Sequence, residues 1–262
     1  MNITRAVIIA LNAVQADPLR GQISRYMTPD VRVMKAVNAT EARLQTLDSL
    51  PLYTRHLIKN GRQNHIQIGN YAMVGCLLSH MAVWRGVGVG ETVAVFEEDA
   101  FIDAVSALRF AMVAEDMRGV PWDLVMLDKG TLIDTGETEY VGSGMAARCA
   151  EGGSCMRFGT RGYLIRYDAA QKLIAVATPP IVQVDALISL ASIHQGFRLF
   201  WSTENIAQPS FWRFSTVWDG CVWECFVREW LACLMIVPLC FFVLCHCRIW
   251  LCRSRHSKET CV

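Results

Sequence analysis

Three consecutive acidic residues follow a short apolar segment near the middle of the chain. The segment VAVFEEDA, residues 93–100, is typical of a buried strand that ends in Glu97, Glu98 and Asp99. Because residues two apart on an extended chain point to the same side, the carboxylates of Glu97 and Asp99 can converge. Two hard carboxylates at the end of a strand suit Mn²⁺ or Mg²⁺, and such an ion can neutralise a diphosphate as it leaves. The alternative is a solvated acidic turn that closes a strand.

The elements that must position these acids alternate between strand and helix along residues 1–210. Apolar and alternating runs predict strands over residues 3–11, 31–37, 92–96, 123–127 and 162–166. Helical spacing predicts helices that end near residue 27, begin at Thr40, and cover residues 71–87, 103–117 and 169–177. The pair Asp17-Pro18 predicts a turn after the first strand, and the composition of residues 130–158 predicts a long mobile loop. The alternation indicates an α/β fold with a mainly parallel sheet flanked by helices, which binds ligands beyond the carboxyl ends of its strands.

The composition limits the classes of protein to which the chain can belong. Of 262 residues, 53% are hydrophobic and 19% are charged, which excludes wholesale disorder and fibrous repeats. A net charge of +1 argues against a dedicated nucleic-acid-binding protein, so we expect no nucleic-acid partner. The mean hydropathy of +0.27 is high for a soluble enzyme of this length, and we therefore expect one segment to lie in a membrane.

The excess of apolar residues lies near the C-terminus. Residues 230–247 hold no formally charged side chain and a basic tail follows, which predicts a single transmembrane helix over residues 230–252. We therefore divide the chain into a catalytic α/β domain (1–218), a juxtamembrane linker (219–229), the anchor (230–252) and a tail (253–262). A buried core helix is the alternative. The side of the membrane stays open, because the lack of a visible signal peptide favours a cytosolic domain, whereas the positive-inside rule favours a cytosolic tail.

The order of two motifs resembles glycosyltransferase family 25, which includes bacterial lipooligosaccharide galactosyltransferases and collagen galactosyltransferases. The run GNYAMVGCLLSHMAVWR, residues 69–85, is similar to that family's helix pattern, and the acidic triplet at residues 97–99 follows it. The residues that fall on the helix pattern are Gly75, Cys76, Ser79, His80 and Trp84. Weaker similarities occur in the same order at residues 35–40, 122–128, 159–174 and 179–188, so the resemblance spans about residues 3–215.

The resemblance implies a GT-A-like fold and an inverting transfer of a hexose, galactose first among the candidates. The donor would be a nucleotide diphosphate sugar, and the acceptor would be a hydroxyl of a glycan or glycoprotein. Glu97 and Asp99 would hold Mn²⁺ or Mg²⁺. The residues expected to contact substrate are Asn38, Ser79, His80 and Asp128.

Two residues are candidates for the catalytic step. Asp185 stands alone among apolar residues after a Pro-Pro pair, and we expect it to act as the base on the acceptor hydroxyl. A helix-capping role is the alternative for Asp185. His80 is the second candidate, and its alternative is a structural hydrogen bond inside the predicted helix.

Two departures from the family pattern leave a second function open. Glu98 stands where the family has an aspartate, and the residues after Asp128 diverge. An inactive, membrane-anchored relative that binds carbohydrate or serves as a scaffold is therefore the alternative. A metal-dependent nuclease or phosphatase is a weaker alternative, because the sequence holds no second acidic cluster at a plausible spacing.

Overall fold

The computed structural model describes residues 1–62, 64, 66–132, 137–150 and 155–210. The strands are β1 Arg5–Ala10, β2 Val31–Lys35, β3 Thr92–Glu97, β4 Ala100–Phe101, β5 Leu124–Met126, β6 Thr131–Leu132, β7 Thr138–Val141, β8 Ala146–Cys149, β9 Arg157–Phe158, β10 Gly162–Arg166, β11 Leu199–Ser202 and β12 Gln208–Pro209. The helices are α1 Ala13–Tyr26, α2 Ala39–Thr46, α3 Leu52–Asn60, α4 Tyr71–Arg85, α5 Ala104–Asp116, α6 Tyr167–Val176 and α7 Val184–Gln195. None of these helices is long and apolar enough to cross a bilayer. The predicted linker, anchor and tail, residues 219–262, lie outside the described residues and stay predictions.

The main sheet, within the described residues, has eight strands in the order β2-β1-β3-β10-β5-β11-β8-β7. Six of them run in one direction, and only β10 and β8 run in the opposite direction. Helices α1 and α4 pack against β1, and α6 packs against β10. The prediction of an α/β fold with a mainly parallel sheet is confirmed, with two reversed strands that it did not include.

The centre of the sheet is buried on both faces. Residues 93–96 of β3 and 163–165 of β10 are fully buried, and both segments are almost entirely apolar. Continuous apolar runs of this kind are typical of strands that are covered on both sides. The acids that follow β3 therefore mark the point where the chain leaves the core.

The reversed direction of β10 decides which residues meet at the carboxyl edge of the sheet. Gly162, the first residue of β10, pairs with Phe96 near the end of β3. Tyr163 pairs with Met126, the last residue of β5. Residues 159–161, which lead into β10, consequently lie beside the segments that follow β3 and β5.

Helix α4 carries the glycosyltransferase-like motif and packs closely against the turn that follows β2. Asn70 caps the helix by accepting a hydrogen bond from the backbone N–H of Met73 at 2.9 Å. A Cβ on Gly75 would lie 2.3 Å from the carbonyl oxygen of Val37. Because any side chain at this position would collide with backbone, glycine is required for the close approach.

Two helices begin earlier than predicted, because an asparagine caps each of them. Asn12 caps α1, so that Asp17-Pro18 lies inside this helix and the predicted turn is wrong. Asn38 forms a capping box with Glu41 at the start of α2, so that Thr40 is not the cap.

The predicted mobile loop over residues 130–158 is wrong in its described part. Strands β7 and β8 pair with each other and extend the main sheet at its edge. The carboxylate of Asp116 accepts hydrogen bonds from the backbone N–H groups of Ser143 and Met145 at 2.7 and 2.8 Å, which ties the hairpin to α5. Cys149 and Cys155 form a disulfide. Composition does not reveal these long-range contacts, and they order the described residues of the segment.

Candidate active site

Four carboxylates contact one tripeptide, Gly159-Thr160-Arg161, which we call the 159–161 turn. Glu97 is the last residue of β3 and Asp99 follows it, whereas Asp128 follows β5 and Asp185 lies in the first turn of α7. All four were singled out by the sequence, and the structure brings them together at the carboxyl edge of the sheet.

Gly159 contacts two of the acids. Its backbone N–H donates a hydrogen bond to Oδ2 of Asp185 at 3.3 Å, and a Cβ at Gly159 would lie 2.8 Å from Oδ2 of Asp128. Oδ1 of Asp185 accepts a hydrogen bond from the N–H of Ala186 at 2.7 Å. Burial raises the pKa of Asp185 to about 6, although these two backbone hydrogen bonds act to lower it.

Thr160 and His80 hold the carboxylate of Glu97. Thr160 Oγ1 donates a hydrogen bond to Oε1 of Glu97 at 2.5 Å, and Nε2 of His80 lies 3.3 Å from the same oxygen. Burial acts to raise the pKa of Glu97, but the hydrogen bonds from His80 and Thr160, together with nearby positive charge that includes Arg161, outweigh it, and the net pKa is below its usual value. Glu97 is therefore held as a carboxylate.

Arg161 lies near Asp99 and Asp128, but its side chain is too far from either carboxylate to form a hydrogen bond. Its Nε is 4.0 Å from Oδ2 of Asp99, and its Nη1 is 3.7 Å from Oδ2 of Asp128. Burial raises the pKa of Asp128 to about 7, and burial together with the charge of Glu97 raises the pKa of Asp99 to about 6. Both oxygens of Asp128 and Oδ1 of Asp99 are buried and accept no hydrogen bond from any described residue.

The buried oxygens of Asp99 and Asp128 that lack a hydrogen-bond donor among the described residues bear on whether the site suits the predicted ion. Buried carboxylate oxygens without a hydrogen-bond donor are costly, and a cation offsets that cost. The oxygens of Asp99 and Asp128 are hard donors, which Mg²⁺ and Mn²⁺ prefer. The residues present therefore fit a divalent cation of this kind.

A second group of possible metal ligands lies beside Glu97. One donor atom from each of Cys76, His80 and Glu97 lies within 4.8 Å of the others. Burial raises the pKa of the Cys76 thiol well above its usual value, and the charges of Glu97 and Asp185 act in the same direction. This thiol is therefore held in its protonated form.

Asn38 and Ser79, predicted to contact substrate, make local contacts in the described structure. Asn38 caps α2 through its side-chain oxygen. Ser79 Oγ accepts a hydrogen bond from the N–H of Val37 at 2.8 Å and donates one to the carbonyl of Gly75 at 2.7 Å. Both side chains thus shape the turn after β2, and their contact with substrate stays a prediction.

The sequence did not single out Thr160, Arg161 and Tyr163 as site residues. A usable signal exists, because the polar pair Thr160-Arg161 directly precedes an apolar strand. The acids lie at the end of β3, whereas this polar pair lies just before the start of β10. If the two strands run antiparallel, the end of β3 and the start of β10 lie at the same edge of the sheet. Strand direction is not visible in the sequence, and the contact between the two segments was therefore missed.

Comparisons with known proteins do not identify this site. No protein family and no curated protein matches the chain. Similar solved structures include a protein assigned as a glucose-1-phosphate thymidylyltransferase from Bacillus anthracis, in complex with sucrose. It shares 10% identity with a TM-score of 0.39, and the match covers 76% of this chain and 85% of that chain. At so low a TM-score the likeness supports no inference about activity.

Proposed function

We propose that the chain is a metal-dependent glycosyltransferase of the GT-A-like type. It transfers a hexose, galactose first among the candidates, from a nucleotide diphosphate sugar to a hydroxyl of a glycan or glycoprotein, with inversion. The observation that carries the proposal is the set of buried carboxylate oxygens on Asp99 and Asp128 that accept no hydrogen bond from the described residues. The membrane anchor over residues 230–252 belongs to the same proposal.

Glu97 and Asp99 hold the ion in this proposal. Glu97 stays ionised because His80 and Thr160 bind its Oε1. Oδ1 of Asp99 accepts no hydrogen bond from the described residues and is available to a ligand. When bound, the ion supplies positive charge that stabilises the departing diphosphate. Asp128 is buried at the same edge, and in this proposal its two oxygens, which accept no hydrogen bond from the described residues, lie beside the ion and accept hydrogen bonds from the substrate.

Asp185 takes the proton from the acceptor hydroxyl. The N–H groups of Gly159 and Ala186 each hold one of its oxygens, so the carboxylate keeps a defined orientation. A pKa of about 6 is near neutral, which suits a general base. The freed acceptor oxygen attacks the sugar carbon on the face opposite the diphosphate, the bond to the diphosphate breaks, and the sugar carbon inverts.

One observation favours the second candidate, an inactive relative that binds carbohydrate or serves as a scaffold. The guanidinium of Arg161 lies 4.0 Å from Asp99 and 3.7 Å from Asp128, where it partly neutralises both carboxylates. A built-in cation of this kind reduces the need for a metal ion. Under this candidate the site binds sugar without turnover.

A donor screen on the full chain in detergent distinguishes the two candidates. Nucleotide release from a panel of nucleotide sugars is measured with Mn²⁺ and with a chelator. We expect release that requires Mn²⁺ and falls by at least about 10²-fold in Asp185→Asn, the lower range for losing a general base. The matched control is Asp168→Asn, an exposed acid in the first turn of α6, which should keep full activity.

Three other outcomes of the donor screen would each contradict one part of the proposal. Release that is unaffected by the chelator contradicts the role of the metal. Full activity of Asp185→Asn contradicts the role of the base. Sugar binding without any release, with and without Mn²⁺, contradicts the enzyme and supports the inactive relative.

A further inference from the structure

A chain of buried side chains runs from the core to Glu97. Nε1 of Trp84 donates a hydrogen bond to the phenol oxygen of Tyr163 at 2.9 Å. The same phenol oxygen lies 2.8 Å from Nδ1 of His80, and Nε2 of His80 lies 3.3 Å from Oε1 of Glu97. Trp84, Tyr163 and His80 are fully buried, so their polar atoms depend on each other for hydrogen bonds.

The chemistry of Trp84 decides where each proton lies. An indole N–H can only donate, so the oxygen of Tyr163 accepts the hydrogen bond from Trp84. The phenol has one proton of its own, and among the described residues Nδ1 of His80 is its acceptor. Nδ1 must therefore be unprotonated. The ring proton then lies on Nε2, which donates to Oε1 of Glu97.

We infer that Trp84 and Tyr163 fix His80 as the Nε2–H tautomer, and that His80 is a positioning residue which orients the carboxylate of Glu97 for the ion. This inference rests on the proposed function and goes further, because it assigns His80 a role other than catalysis or substrate contact. Thr160 donates to the same Oε1, so both hydrogen bonds fall on one oxygen. No described residue donates a hydrogen bond to Oε2 of Glu97, which is therefore left for a ligand.

The competing interpretation is a metal ion bound directly by Cys76, His80 and Glu97. A metal on Nε2 of His80 requires the proton on Nδ1, which would then donate to Tyr163. The Tyr163 oxygen would receive hydrogen bonds from both Trp84 and His80, and its own proton would lack an acceptor among the described residues. A metal-bound histidine normally gives its second N–H to a carboxylate, a carbonyl or water. The surroundings of His80 therefore suit a neutral Nε2–H donor better than a metal ligand.

The first test reads the tautomer in the full chain in detergent without added metal. Long-range ¹H–¹⁵N NMR of ¹⁵N-histidine-labelled protein distinguishes protonated from unprotonated ring nitrogens, and the His80 signals are assigned by their loss in His80→Gln. We expect a protonated Nε2 and an unprotonated Nδ1 at neutral pH. A protonated Nδ1 would overturn the inference.

The second test measures Mn²⁺ affinity, with Mn²⁺ alone as the probe. Tyr163→Phe should weaken Mn²⁺ binding by about 10-fold, the lower range for losing a residue that supports a metal ligand. The exposed Tyr140→Phe should bind Mn²⁺ as the wild type does. His80→Gln keeps an N–H donor toward Glu97 and should bind more tightly than His80→Leu, which removes the donor. A purely structural role for His80 would give the two variants equal affinity.

The outcomes separate this inference from the proposed function. If the wild type binds no Mn²⁺, the proposed function fails, while the tautomer measurement still tests the proton positions. If Zn²⁺ binds and Cys76→Ala abolishes its binding, the competing metal site is correct and the inference is wrong. Unchanged Mn²⁺ affinity in both Tyr163→Phe and His80→Leu would also overturn it. Should Tyr163→Phe fail to fold, the comparison of His80→Gln with His80→Leu decides.

Discussion

Nη1 of Arg161 lies 3.7 Å from Oδ2 of Asp128, so the two groups attract each other without forming a hydrogen bond. Asp128 is almost completely buried, with a side-chain exposure of 2%. Burial raises its pKa more than the charge of Arg161 lowers it, and the pKa settles at about 7. Arg161 thus offsets only part of the cost of burying this carboxyl group.

Removal of this cation should destabilise the protein unless a metal replaces it. Arg161→Met should lower the free energy of unfolding by about 1–2 kcal/mol in metal-free buffer, because two buried acids lose a nearby positive charge. Mn²⁺ should restore part of the loss by binding the folded state. Thermal unfolding with and without Mn²⁺ measures both effects. Arg32→Met, in an exposed ion pair, is the control, and equal behaviour of the two variants would contradict the prediction.

Loss of the proposed metal ligand should abolish transfer but preserve the fold. Asp99→Ala should reduce nucleotide release by at least about 10²-fold, the lower range for removing a major electrostatic stabiliser. The fold should survive because Oδ1 of Asp99 makes no hydrogen bond with the described residues. Turnover and circular dichroism are measured beside Asp30→Ala, an exposed acid far from the site in sequence. Full activity of Asp99→Ala with saturating Mn²⁺ would rule out its role.

The ion pair of Asp123 and Arg198 should make stability depend on acid pH. Asp123 accepts hydrogen bonds from Nε, Nη2 and the backbone N–H of Arg198 at 2.9, 2.8 and 2.7 Å. Burial acts to raise the pKa of Asp123, but these bonds outweigh it and hold the pKa below 3.8. A lowered pKa in the folded state stabilises the fold at pH values above the pKa of the unfolded chain. This contribution is lost as the pH falls through the pKa of the folded state.

The variant Asp123→Asn tests this predicted direction of the pH dependence. Asp123→Asn should cost about 2–3 kcal/mol at pH 7, since it breaks charge-assisted hydrogen bonds at a buried carboxylate. The cost should begin to shrink below about pH 4, where the unfolded wild-type chain takes up a proton at Asp123, and it should be lost as the pH falls through the lowered pKa of the folded state. Chemical unfolding from pH 3 to 7 gives the difference. A cost that does not change with pH would contradict the prediction.

The close approach of α4 to the turn after β2 should make Gly75 intolerant of substitution. Gly75→Ala would place a Cβ 2.3 Å from the carbonyl oxygen of Val37, and we expect a loss of about 1–3 kcal/mol from overpacking. Gly21→Ala is the control, because Gly21 lies inside α1 with no atom within 4 Å of its added Cβ. That change should stabilise the fold by about 0.5–1 kcal/mol. Equal effects of the two changes would argue against the packing.

Deletion of residues 230–262 should release a folded domain into solution. All elements of the described structure end by Pro209, so the deletion removes none of them. The full chain should fractionate with membranes and require detergent, whereas the truncated chain should not. A full chain that stays in solution without detergent, or a truncated chain that unfolds, would show that the segment is a core helix. Protease protection of a tag after Val262 then reports the side of the tail.

Local patterns in the sequence already determine much of this protein. The apolar run that ends in Glu97, Glu98 and Asp99 is visible as a strand because a continuous run of apolar residues and its abrupt end are properties of neighbouring residues. The alternation of strands and helices likewise determines the α/β class. The same local reasoning failed between residues 130 and 158, since the described residues of that segment are ordered by contacts with Asp116 and by a disulfide.

The site itself depends on tertiary structure. β10 runs against β3, and this direction alone brings the 159–161 turn to the carboxyl edge where four acids meet. The direction of a strand in the sheet depends on the path that the chain takes between distant strands. No local sequence pattern encodes that path. The same holds for His80, which is one turn of helix away from Trp84 in sequence but is joined to it through Tyr163, 79 residues beyond Trp84. Sequence determined which residues could do chemistry, and tertiary packing decided which of them touch, because contacts between distant residues form only when the whole core closes.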